Sequence, residues 1–407
     1  MERLKPNMQC IAFFIATLFV LGCTNPQSNN PPALPPCGVG TILIEDSCEC
    51  IPNSHPIQDL NICNCDSSYR WNLDSTECVL DTTSNLFTWS TDTIGSYYTI
   101  LNDVKIIDHN NIWVVGYIPV FVLDSTTGTH DRIVYNLAKW DGEGWNYSNV
   151  YHEGLELHDI CYFNENDIWV SSGSVFHWDG TSWTLYHLWD MGLLDSSEGG
   201  VYHAWGTSSS NMYFVGNKGT IVHYDGNAFT KLESGTDKNF YAVSGSTDGS
   251  HVFTCGGTPH IEPIIVEITG QQVHTIYEGA SFYSEPAGSP HTVSVYGDTA
   301  YFASYLGIWK YNYINEDSKQ VRQINNHGAN GPSQIYVNSP NDIFMVGWNS
   351  TFVHFNGNRW ISDESTRGQY GYSGITIYSM DVKDDQEVMV GSCYSANRGL
   401  IIRGLRH

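Results

Sequence analysis

The chain has 407 residues, and its 43 Asp and Glu residues against 18 Lys and Arg give it a formal net charge of -25. A surface this acidic argues against nucleic acid or anionic lipid as the ligand of the folded body, because both are themselves negatively charged. It favours solubility, association with cations or a basic partner. We expect a monomer.

The N-terminal segment combines basic residues with an apolar run. Arg3 and Lys5 precede the apolar stretch 11–22, which is too short to span a bilayer comfortably. The residues Val20-Leu-Gly-Cys23 that end it look like a bacterial lipobox. The resemblance implies that the signal peptide 1–22 is removed and that Cys23 is lipidated, which anchors the protein in the bacterial cell envelope. Cleavage nearby without lipidation is the alternative, and it would leave a secreted protein.

The segment 23–36 carries the lipidation site and a linker rich in Pro and Asn, which cannot form a core. It is predicted to hold the following domains away from the membrane, at the outer membrane or the cell surface and facing the periplasm or the exterior. No other segment of the sequence is predicted to cross a membrane.

Residues 37–80 form a cysteine-rich module. Its six cysteines are Cys37, Cys48, Cys50, Cys63, Cys65 and Cys78. So short a segment of an exported chain has too little core to fold without disulfides, and 15 pairings are possible from the sequence alone. A zinc cluster is the alternative, although Cys-x-Cys steps fit the usual ligand loops poorly.

The spacing of these cysteines resembles that of an EGF-like domain. The resemblance implies the pairs Cys37–Cys50, Cys48–Cys63 and Cys65–Cys78. No Asp-x-Asp-Glu run precedes Cys37, so we expect no calcium site of the EGF type.

Residues 85–407 repeat one short pattern seven times. One copy reads Asn341-Asp-Ile-Phe-Met-Val-Gly347, followed by Phe352-Val-His-Phe-Asn-Gly357 and Trp360. The central apolar residue of the first element recurs at Trp113, Trp169, Tyr213, Phe253, Tyr301, Phe344 and Val388. Its spacing fits the roughly 40–50 residues of a four-stranded propeller blade. The long first interval is attributed to an insertion, Tyr117 to Arg132, and Asp-Gly pairs such as Asp179-Gly180 predict two-residue hairpin turns.

The predicted fold is therefore an all-β, seven-bladed β-propeller. Six or eight blades are the alternatives if the degenerate units Phe240 to Val273 and Val293 to Arg322 are misassigned. The chain ends after Gly399 to Gly404, the third strand of the seventh unit, and Leu86 to Trp89 supplies a strand ahead of the first unit. Closure of the last blade by this N-terminal strand would remove two free sheet edges.

These motifs resemble the β-propeller repeats of bacterial surface and secreted proteins, near the Asp-box and photosystem-assembly-factor-like propellers. The match covers about residues 85 to 407. Asp179 and Gly180 are adjacent, whereas an Asp-box has one residue between them, so the sialidase activity of some Asp-box proteins is not implied.

Polar and aromatic residues near the start of each innermost strand are predicted to ring the mouth of the central channel. The candidate ligand-binding residues are Asn102, His158, Tyr202, His203, Tyr241, His291, Gln334 and Tyr378. Such side chains suit sugar or peptide recognition, although they could instead bond to one another or to channel waters. His177, His223 and His354 occupy one repeat position on different blades and are interpreted as structural.

The leading functional hypothesis is a non-enzymatic, surface-anchored binding or scaffold protein whose propeller engages a protein or a glycan. A glycan-active hydrolase or lyase is the second hypothesis, and it predicts clustered acidic residues with displaced pKa values at one end of the axis. A third is an assembly factor for other envelope proteins. No catalytic residue, metal site or cofactor is predicted, and Cys161, Cys255 and Cys393 are interpreted as small core thiols.

Overall fold

The structure is a computed structural model that describes residues 9–13, 20–24, 41–44, 47–57, 62–65, 69–71, 77–80, 83–123, 125–126, 128–195, 197–258, 262–281, 288–323, 331–362 and 374–407. It divides into two compact units, Met1–Thr82 and Thr83–His407. Within these described residues, no helix is long and apolar enough to cross a membrane. The linker 25–36 and the start of the predicted signal peptide lie outside the described residues.

The first unit contains short antiparallel hairpins. Its strands are β1 (Gln9–Phe13), β2 (Val20–Thr24), β3 (Thr41–Ile44), β4 (Ser47–Cys50), β5 (Ser54–Pro56), β6 (Cys63–Cys65), β7 (Tyr69–Trp71) and β8 (Cys78–Leu80). They pair as β1–β2, β3–β4, β5–β6 and β7–β8.

Two disulfides link described residues of this unit, and one of them corrects the pairing that the EGF-like resemblance implies. Cys65–Cys78 is confirmed. Cys50 is bonded to Cys63, so the EGF-like pairs that assign these two cysteines to Cys37 and Cys48 are wrong. Each disulfide joins residues 13 apart. In β6, Cys63 and Cys65 are both buried on one face, because side chains alternate along a strand. Cys63 is bonded to a cysteine that precedes it in the chain, and Cys65 to one that follows it. Cys37 and the side chain of Cys48 lie outside the described residues.

The second unit is a ring of seven four-stranded antiparallel sheets, which confirms the predicted fold and blade count. The strands of blades one to three are β10 (Ile100–Asp108), β11 (Asn111–Leu123), β12 (His130–Trp140), β13 (Trp145–Ser148), β14 (Asp159–Asn164), β15 (Asp167–Ser172), β16 (Ser174–Trp178), β17 (Trp183–Tyr186), β18 (Val201–Ser208), β19 (Asn211–Gly216), β20 (Ile221–Tyr224) and β21 (Phe229–Leu232). A 3-10 turn, Asn217–Gly219, follows β19.

Blades four to seven continue in the same order. Their strands are β22 (Asn239–Gly245), β23 (Val252–Gly257), β24 (Pro263–Thr269), β25 (Gln272–Glu278), β26 (Pro290–Tyr296), β27 (Thr299–Ser304), β28 (Gly307–Asn312), β29 (Asp317–Gln323), β30 (Pro332–Ser339), β31 (Asp342–Gly347), β32 (Thr351–Phe355), β33 (Trp360–Ser362), β34 (Ile375–Lys383), β35 (Gln386–Cys393) and β36 (Arg398–Arg406), with β9 (Phe87–Ile94) as the outer strand of blade seven.

The two ends of the propeller chain close the ring, as the sequence predicts. Blade seven has the order β34-β35-β36-β9, and β9 pairs with β36 from Gly399↔Ile94 to Arg406↔Phe87. Beyond the strands, the backbone N–H of His407 donates to the carbonyl of Leu86 at 2.9 Å. The outer strand of blade seven thus comes from residues that precede blade one. It pairs with the edge of β36 that would otherwise be free.

The core lies between neighbouring blades, with one apolar cluster at each of the seven junctions. The repeated apolar residue of each second strand faces the next blade: Trp169 packs with Phe214, and Phe344 packs with Met389. All eight residues of β35 are buried, because the second strand of a blade is covered on both faces. Removing one such aromatic side chain would cost about 3–5 kcal/mol.

Two local predictions need revision. The insertion in blade one is an extension of β11 and β12 into a long hairpin, with Leu123 opposite His130. The Asp-Gly pairs form four-residue connections instead of two-residue turns. In one of them Asp179 accepts from the backbone N–H groups of Thr181 and Ser182 at 2.8 Å, and only Gly180 has a left-handed φ, +92°. The aspartate therefore serves as a side-chain acceptor in the turn.

Candidate ligand site at the axis of the propeller

One face of the propeller collects the starts of the innermost strands, and we call it the entry face. In an antiparallel blade, the connections after the second and fourth strands lie at this same face. The innermost strands β10, β14, β18, β22, β26, β30 and β34 contact one another around the axis. Side chains at their first residues therefore converge on the channel mouth.

A β-bulge near the start of the innermost strand marks six of the seven blades. The extra residues are Asn102, Tyr202, Tyr241, His291, Ser333 and Tyr378. A bulge inserts an unpaired residue and re-aims its side chain. In blade two, without such a bulge, His158 precedes β14 and its N–H donates to the carbonyl of Ser171 at 2.9 Å.

Glycine at the end of the second strand makes room for these bulges. Gly116, Gly216, Gly256, Gly347 and Gly391 each pair with the residue just before the extra one. A Cβ at any of them would overlap a carbonyl oxygen at the start of the innermost strand or of the residue just before it. The recurring Val-Gly of the repeat thus permits the close backbone approach that the axial geometry requires.

A cavity of about 260 Å³ opens at the channel mouth. It brings together six of the eight candidate residues: Asn102, His158, His203, Tyr241, His291 and Tyr378. The ring of Tyr241 stacks on that of His291, with centroids 5.5 Å apart, and the hydroxyl of Tyr378 lies 3.4 Å from that of Tyr394. These six candidates come from six different blades, and they present flat apolar faces and polar edges to the same cavity.

The other two candidates lie beside the cavity in supporting positions. Tyr202 packs edge-on against His158, with ring centroids 4.9 Å apart, and its carbonyl accepts from the Ser171 hydroxyl at 2.6 Å. The Gln334 side-chain oxygen accepts from the backbone N–H of Met380 and from the Ser379 hydroxyl. Both residues tie one blade to the next.

Four lining residues escaped the sequence analysis: Tyr305, Pro332, Ser333 and Trp348. Ser333 was missed by one position, because the bulge turns it toward the axis in place of Gln334. Tyr305 and Trp348 directly follow the second strands of blades five and six. Their signal is the residue directly after the second strand, at the connection that the topology places on the entry face.

Two carboxyl groups lie one residue further along the innermost strands. Asp103 accepts from the backbone N–H of Ile160 at 3.0 Å and from the Ser379 hydroxyl at 2.5 Å. Asp159 accepts from the backbone N–H of Ala204 at 3.2 Å, and it lies within hydrogen-bonding reach of Asp103. The Nδ1 atom of His203 is 3.6 Å from Asp159. We call Asp103 and Asp159 the axial carboxyl pair.

Burial shifts the protonation of these groups. It raises the pKa of Asp103 to about 8, with a further contribution from the charge of Asp159, and raises the pKa of Asp159 to about 6. Burial also lowers the pKa of His203 to about 4 and lowers that of His158. At neutral pH the imidazoles are uncharged and the pair holds a proton, because two buried carboxylates so close together cannot both ionise readily.

Deeper in the channel, Lys105 is held by Asp381, with Nζ 3.1 Å from Oδ1, while the other carboxylate oxygen accepts from the backbone N–H of Ile106 at 2.8 Å. Burial alone would lower the pKa of Lys105, but the carboxylates of Asp381 and Asp103 outweigh it and raise that pKa. This ion pair crosses the junction between blades seven and one.

The polar residues of the innermost strands thus share a structural task. Side chains of one blade accept from backbone N–H groups of the next at Asp103, Asp159, Ser244, Thr292, Ser294, Gln334 and Asp381. Such hydrogen bonds fix the spacing of neighbouring blades where their cores are thinnest. The alternative interpretation, in which axial residues hydrogen-bond to one another, therefore applies to this deeper layer of residues. The residues that line the cavity lie above this layer.

Exposed aromatic and aliphatic side chains are concentrated on the entry face. Nine of the thirteen large exposed hydrophobic residues of the second unit lie in its connections: Tyr97, Tyr98, Phe121, Val122, Leu123, Tyr151, Met191, Trp348 and Tyr394. Phe121, Val122 and Leu123 lie on the extended hairpin of blade one. Tyr98 and Tyr151 both have a left-handed φ of 66°, which is unusual for a bulky residue.

A second cavity of about 680 Å³ lies at blades three and four. Its polar lining pairs Lys231 with Glu198 and Lys238 with Glu278. Three lysines and five acidic residues line this cavity in total, so it is acidic overall and two of its lysines are already paired within the protein.

The repeated histidines lie on separate blades and have local partners. The Nε2 atoms of His177, His223 and His354 contact Asp167, Asn211 and Asp342 at 2.9, 2.9 and 2.7 Å. Each ring also stacks on the aromatic residue of the neighbouring second strand, as His354 does on Phe344 at 4.2 Å. Over the described part of the chain, no group of three or more His, Cys, Asp or Glu side chains could hold a metal ion.

The three cysteines of the propeller are free thiols. Cys255 and Cys393 are buried, and Cys161 is partly buried with its sulfur 3.4 Å from the carbonyl of Ala204. Burial raises the pKa of Cys161 and of Cys255, which keeps both protonated and poorly nucleophilic.

Comparison with known proteins relates the chain to others through its fold. No protein-family model and no curated protein matches its sequence. Similar solved structures include YCF48 bound to D1 peptide, with 15% identity, coverage of 78% of this chain and 97% of that chain, and a TM-score of 0.56. The shared feature is the β-propeller.

Two other propellers resemble it to the same degree. A catalytically inactive virginiamycin B lyase from Staphylococcus aureus with quinupristin has 10% identity, coverage of 78% and 99%, and a TM-score of 0.57. The WD40 β-propeller domain of Doa1 has 14% identity, coverage of 80% and 98%, and a TM-score of 0.54. One of these three structures is a lyase and another is bound to a peptide, so the fold alone does not specify an activity.

Proposed function

We propose that the propeller is a non-enzymatic binding module whose entry face engages a protein ligand, with a segment of that ligand in the axial cavity. The observation that carries the proposal is the convergence of side chains from all seven blades on one cavity of about 260 Å³. A concave site lined by aromatic groups, with a few converging polar atoms, is the usual form of a ligand site.

The rim supports a protein ligand over a lone sugar. Nine large hydrophobic side chains are exposed on the entry face, and four are exposed elsewhere on the propeller among the described residues. Exposed apolar residues concentrated on one face are typical of protein interaction sites. Tyr98 and Tyr151 hold strained backbone conformations there, and such strain is commonly retained for function.

One similar fold provides a precedent for peptide binding by a protein of this architecture. One of the similar propeller structures, YCF48, is bound to D1 peptide. An assembly role for other envelope proteins would use the same face, and the partner found would distinguish assembly from simple adhesion.

The test uses the compact unit of residues 83–407, immobilised and screened against defined peptide arrays, purified envelope proteins and glycans. Tyr241→Ala and Tyr378→Ala remove two cavity walls, and Tyr296→Ala removes an exposed tyrosine at the opposite face. We expect the cavity variants to weaken capture at least about tenfold, which corresponds to about 1.4 kcal/mol, and the control to leave it unchanged. Equal capture by all four proteins contradicts the proposal.

A glycan-active enzyme is the second candidate, and the axial carboxyl pair is the observation in its favour. Clustered acids with raised pKa values at the axis are what that hypothesis predicts. However, glycosidase carboxyl groups stand about 5–10 Å apart, whereas Asp103 and Asp159 are within hydrogen-bonding reach of each other. Hydrolysis of any glycan in the screen that is lost in Asp103→Asn would establish the enzyme and refute the binding module.

We also propose that lipidation of Cys23 tethers the protein to the bacterial envelope, with the propeller held outward by the linker. The support is the sequence Val20-Leu-Gly-Cys23 after an apolar run. Metabolic labelling with a fatty acid should mark the wild-type protein and fail in Cys23→Ala. Equal labelling of both proteins would refute the anchor.

A further inference from the structure

We propose that the axial cavity anchors a cationic side chain, a lysine or arginine of the partner polypeptide, between its aromatic walls and the axial carboxyl pair. The inference rests on the proposed function, because it names the chemical group that the same cavity would recognise.

The walls of the cavity offer ring faces of the kind that attract cations. Tyr241, Tyr305, Trp348 and Tyr378 line it together with the ring of His291. An ammonium or guanidinium group over such a ring is attracted by its quadrupole, most strongly when water is excluded. The aliphatic part of a lysine or arginine side chain would pack against the same rings.

The acidic groups lie along the direction of entry. Glu156 accepts from the Asn102 side-chain amide at 2.9 Å beside the cavity, and the axial carboxyl pair lies one residue below its lining. The side chain of Asp159 retains 20% of its accessible surface and that of His203 retains 32%, so the channel reaches both. A cation that enters between the rings would therefore approach Asp159 first.

The protein supplies no cation of its own to this space. None of the residues that line the cavity, within the described chain, is a lysine or arginine. The amine of Lys105, deeper in the channel, is held by Asp381 at 3.1 Å. The Ser333 hydroxyl oxygen, which belongs to a lining residue, is buried without a hydrogen-bond partner among the described residues. A donor from a ligand would satisfy that oxygen.

Long-range electrostatics favour the same class of partner. With a formal net charge of -25, the chain attracts basic polypeptides and repels acidic ones. Such steering raises association rates and weakens with ionic strength. The local and the overall charge distributions thus select the same ligand chemistry.

Entry of a cation would change the protonation of the pair. The proton that Asp103 and Asp159 hold at neutral pH would leave to solvent, because a nearby positive charge favours two carboxylates. The charged and titratable groups that face the pair are Lys105, His203 and Cys161, and Lys105 is already paired with Asp381. Binding of a lysine side chain should therefore release a proton, whereas binding of an uncharged analogue should not.

The experiment uses the full mature chain and pools of pentapeptides that vary at four positions and carry one fixed central residue. The fixed residue is lysine, arginine, norleucine or glutamate. We expect the lysine and arginine pools to bind at least about tenfold more tightly than the norleucine pool, with the glutamate pool weakest. The preference should disappear in Asp103→Asn/Asp159→Asn and persist in Asp385→Asn, which removes an exposed carboxylate at the opposite face.

The outcomes separate this inference from the proposed function. Equal binding of lysine and norleucine pools, abolished by Tyr241→Ala, would overturn the cation inference and leave the peptide-binding function standing. If no pool binds, or if binding survives Tyr241→Ala, the proposed function fails with it.

A second measurement covers loss of folding in the double variant. If the double variant does not fold, Asp159→Asn alone takes its place, because its amide keeps an acceptor for the N–H of Ala204. Proton release from the wild-type protein is measured by calorimetry in two buffers of different ionisation enthalpy. Proton release with the lysine pool that is absent with the norleucine pool supports the inference. Identical heats in both buffers for the lysine pool would overturn it.

Discussion

Arg406 donates from Nη1 to Asp342 Oδ2 at 2.9 Å and so joins the last strand of the chain to the sixth blade. Its Nη2 donates to Glu387 at 2.7 Å, and its guanidinium lies 5.4 Å from the ring centroid of Phe87 on the closing strand. Asp342 and Glu387 are almost fully buried, with 1% and 0% of their side-chain surface exposed. One cation therefore contacts two buried carboxyl groups at the point where the ring closes, and burial raises the pKa of Glu387 to about 8 in spite of that contact.

Replacement of Arg406 by methionine is predicted to destabilise the propeller by about 3–5 kcal/mol, because it leaves two buried carboxyl groups without their partner. Urea unfolding of residues 83–407 at pH 7 measures the change. Arg398→Met, at an exposed position of the same strand, is the control and should change the free energy of unfolding by less than about 0.5 kcal/mol. A similar small change for both variants would show that the buried ion pairs do not hold the ring closed.

Gly347→Ala is predicted to destabilise the protein by about 1–3 kcal/mol, because the new methyl group would overlap the carbonyl oxygen of Gly331 and displace the bulge at Ser333. Ligand affinity should fall as well, since Ser333 lines the cavity. Gly144→Ala, where an added Cβ meets nothing, is the matched control for thermal unfolding and binding. Unchanged affinity in a destabilised Gly347→Ala protein would separate the bulge from the site.

The repeat made the ring predictable, because its residues perform the same task in every blade. The spaced apolar residues from Trp113 to Val388 mark the second strands, and each packs toward the next blade. The closing strand followed from counting strands in the last unit. These features depend on periodicity, which one sequence shows directly.

The details of the site depend on positions that periodicity does not fix. The bulge in blade six moves the axial position from Gln334 to Ser333, a one-residue change that leaves no mark in the hydrophobic pattern. The axial carboxyl pair is invisible in the sequence, because Asp103 and Asp159 are 56 residues apart and meet only when neighbouring blades pack. The pairing of Cys50 with Cys63 likewise depends on which hairpin faces which loop.

The repeated histidines are predicted to contribute to stability according to their burial. His354 has 1% of its side chain exposed and contacts both Asp342 and Asn85, whereas His177 has 21% exposed. We expect His354→Ala to cost about 2–4 kcal/mol and His177→Ala about 1 kcal/mol. Denaturant unfolding measures both, with His109→Ala, more than half exposed, as the reference for a surface histidine. The reverse order would mean that stacking on Trp169 outweighs the buried hydrogen bonds.

The axial carboxyl pair makes stability depend on pH in a defined direction. The pKa of Asp103 is raised from an ordinary value of 3.8 to about 8 in the folded protein. A carboxyl group with a raised folded-state pKa binds its proton more tightly when folded, so its contribution is present at low pH and is lost as the pH rises from about 4 to about 8. The depressed pKa of His203, about 4, acts oppositely and is lost only as the pH falls below about 6.5.

Asp103→Asn is therefore predicted to gain stability relative to the wild-type protein as the pH rises from 5 to 8, by at least about 1 kcal/mol. The amide keeps an acceptor for the N–H of Ile160 and cannot ionise. Urea unfolding at pH 5, 6, 7 and 8 gives both curves, and Ser333→Ala, which removes a nearby hydroxyl, should run parallel to the wild-type curve. Parallel curves for Asp103→Asn as well would show that the pair does not hold an extra proton, because only a group that titrates differently in the folded and unfolded states can change this slope.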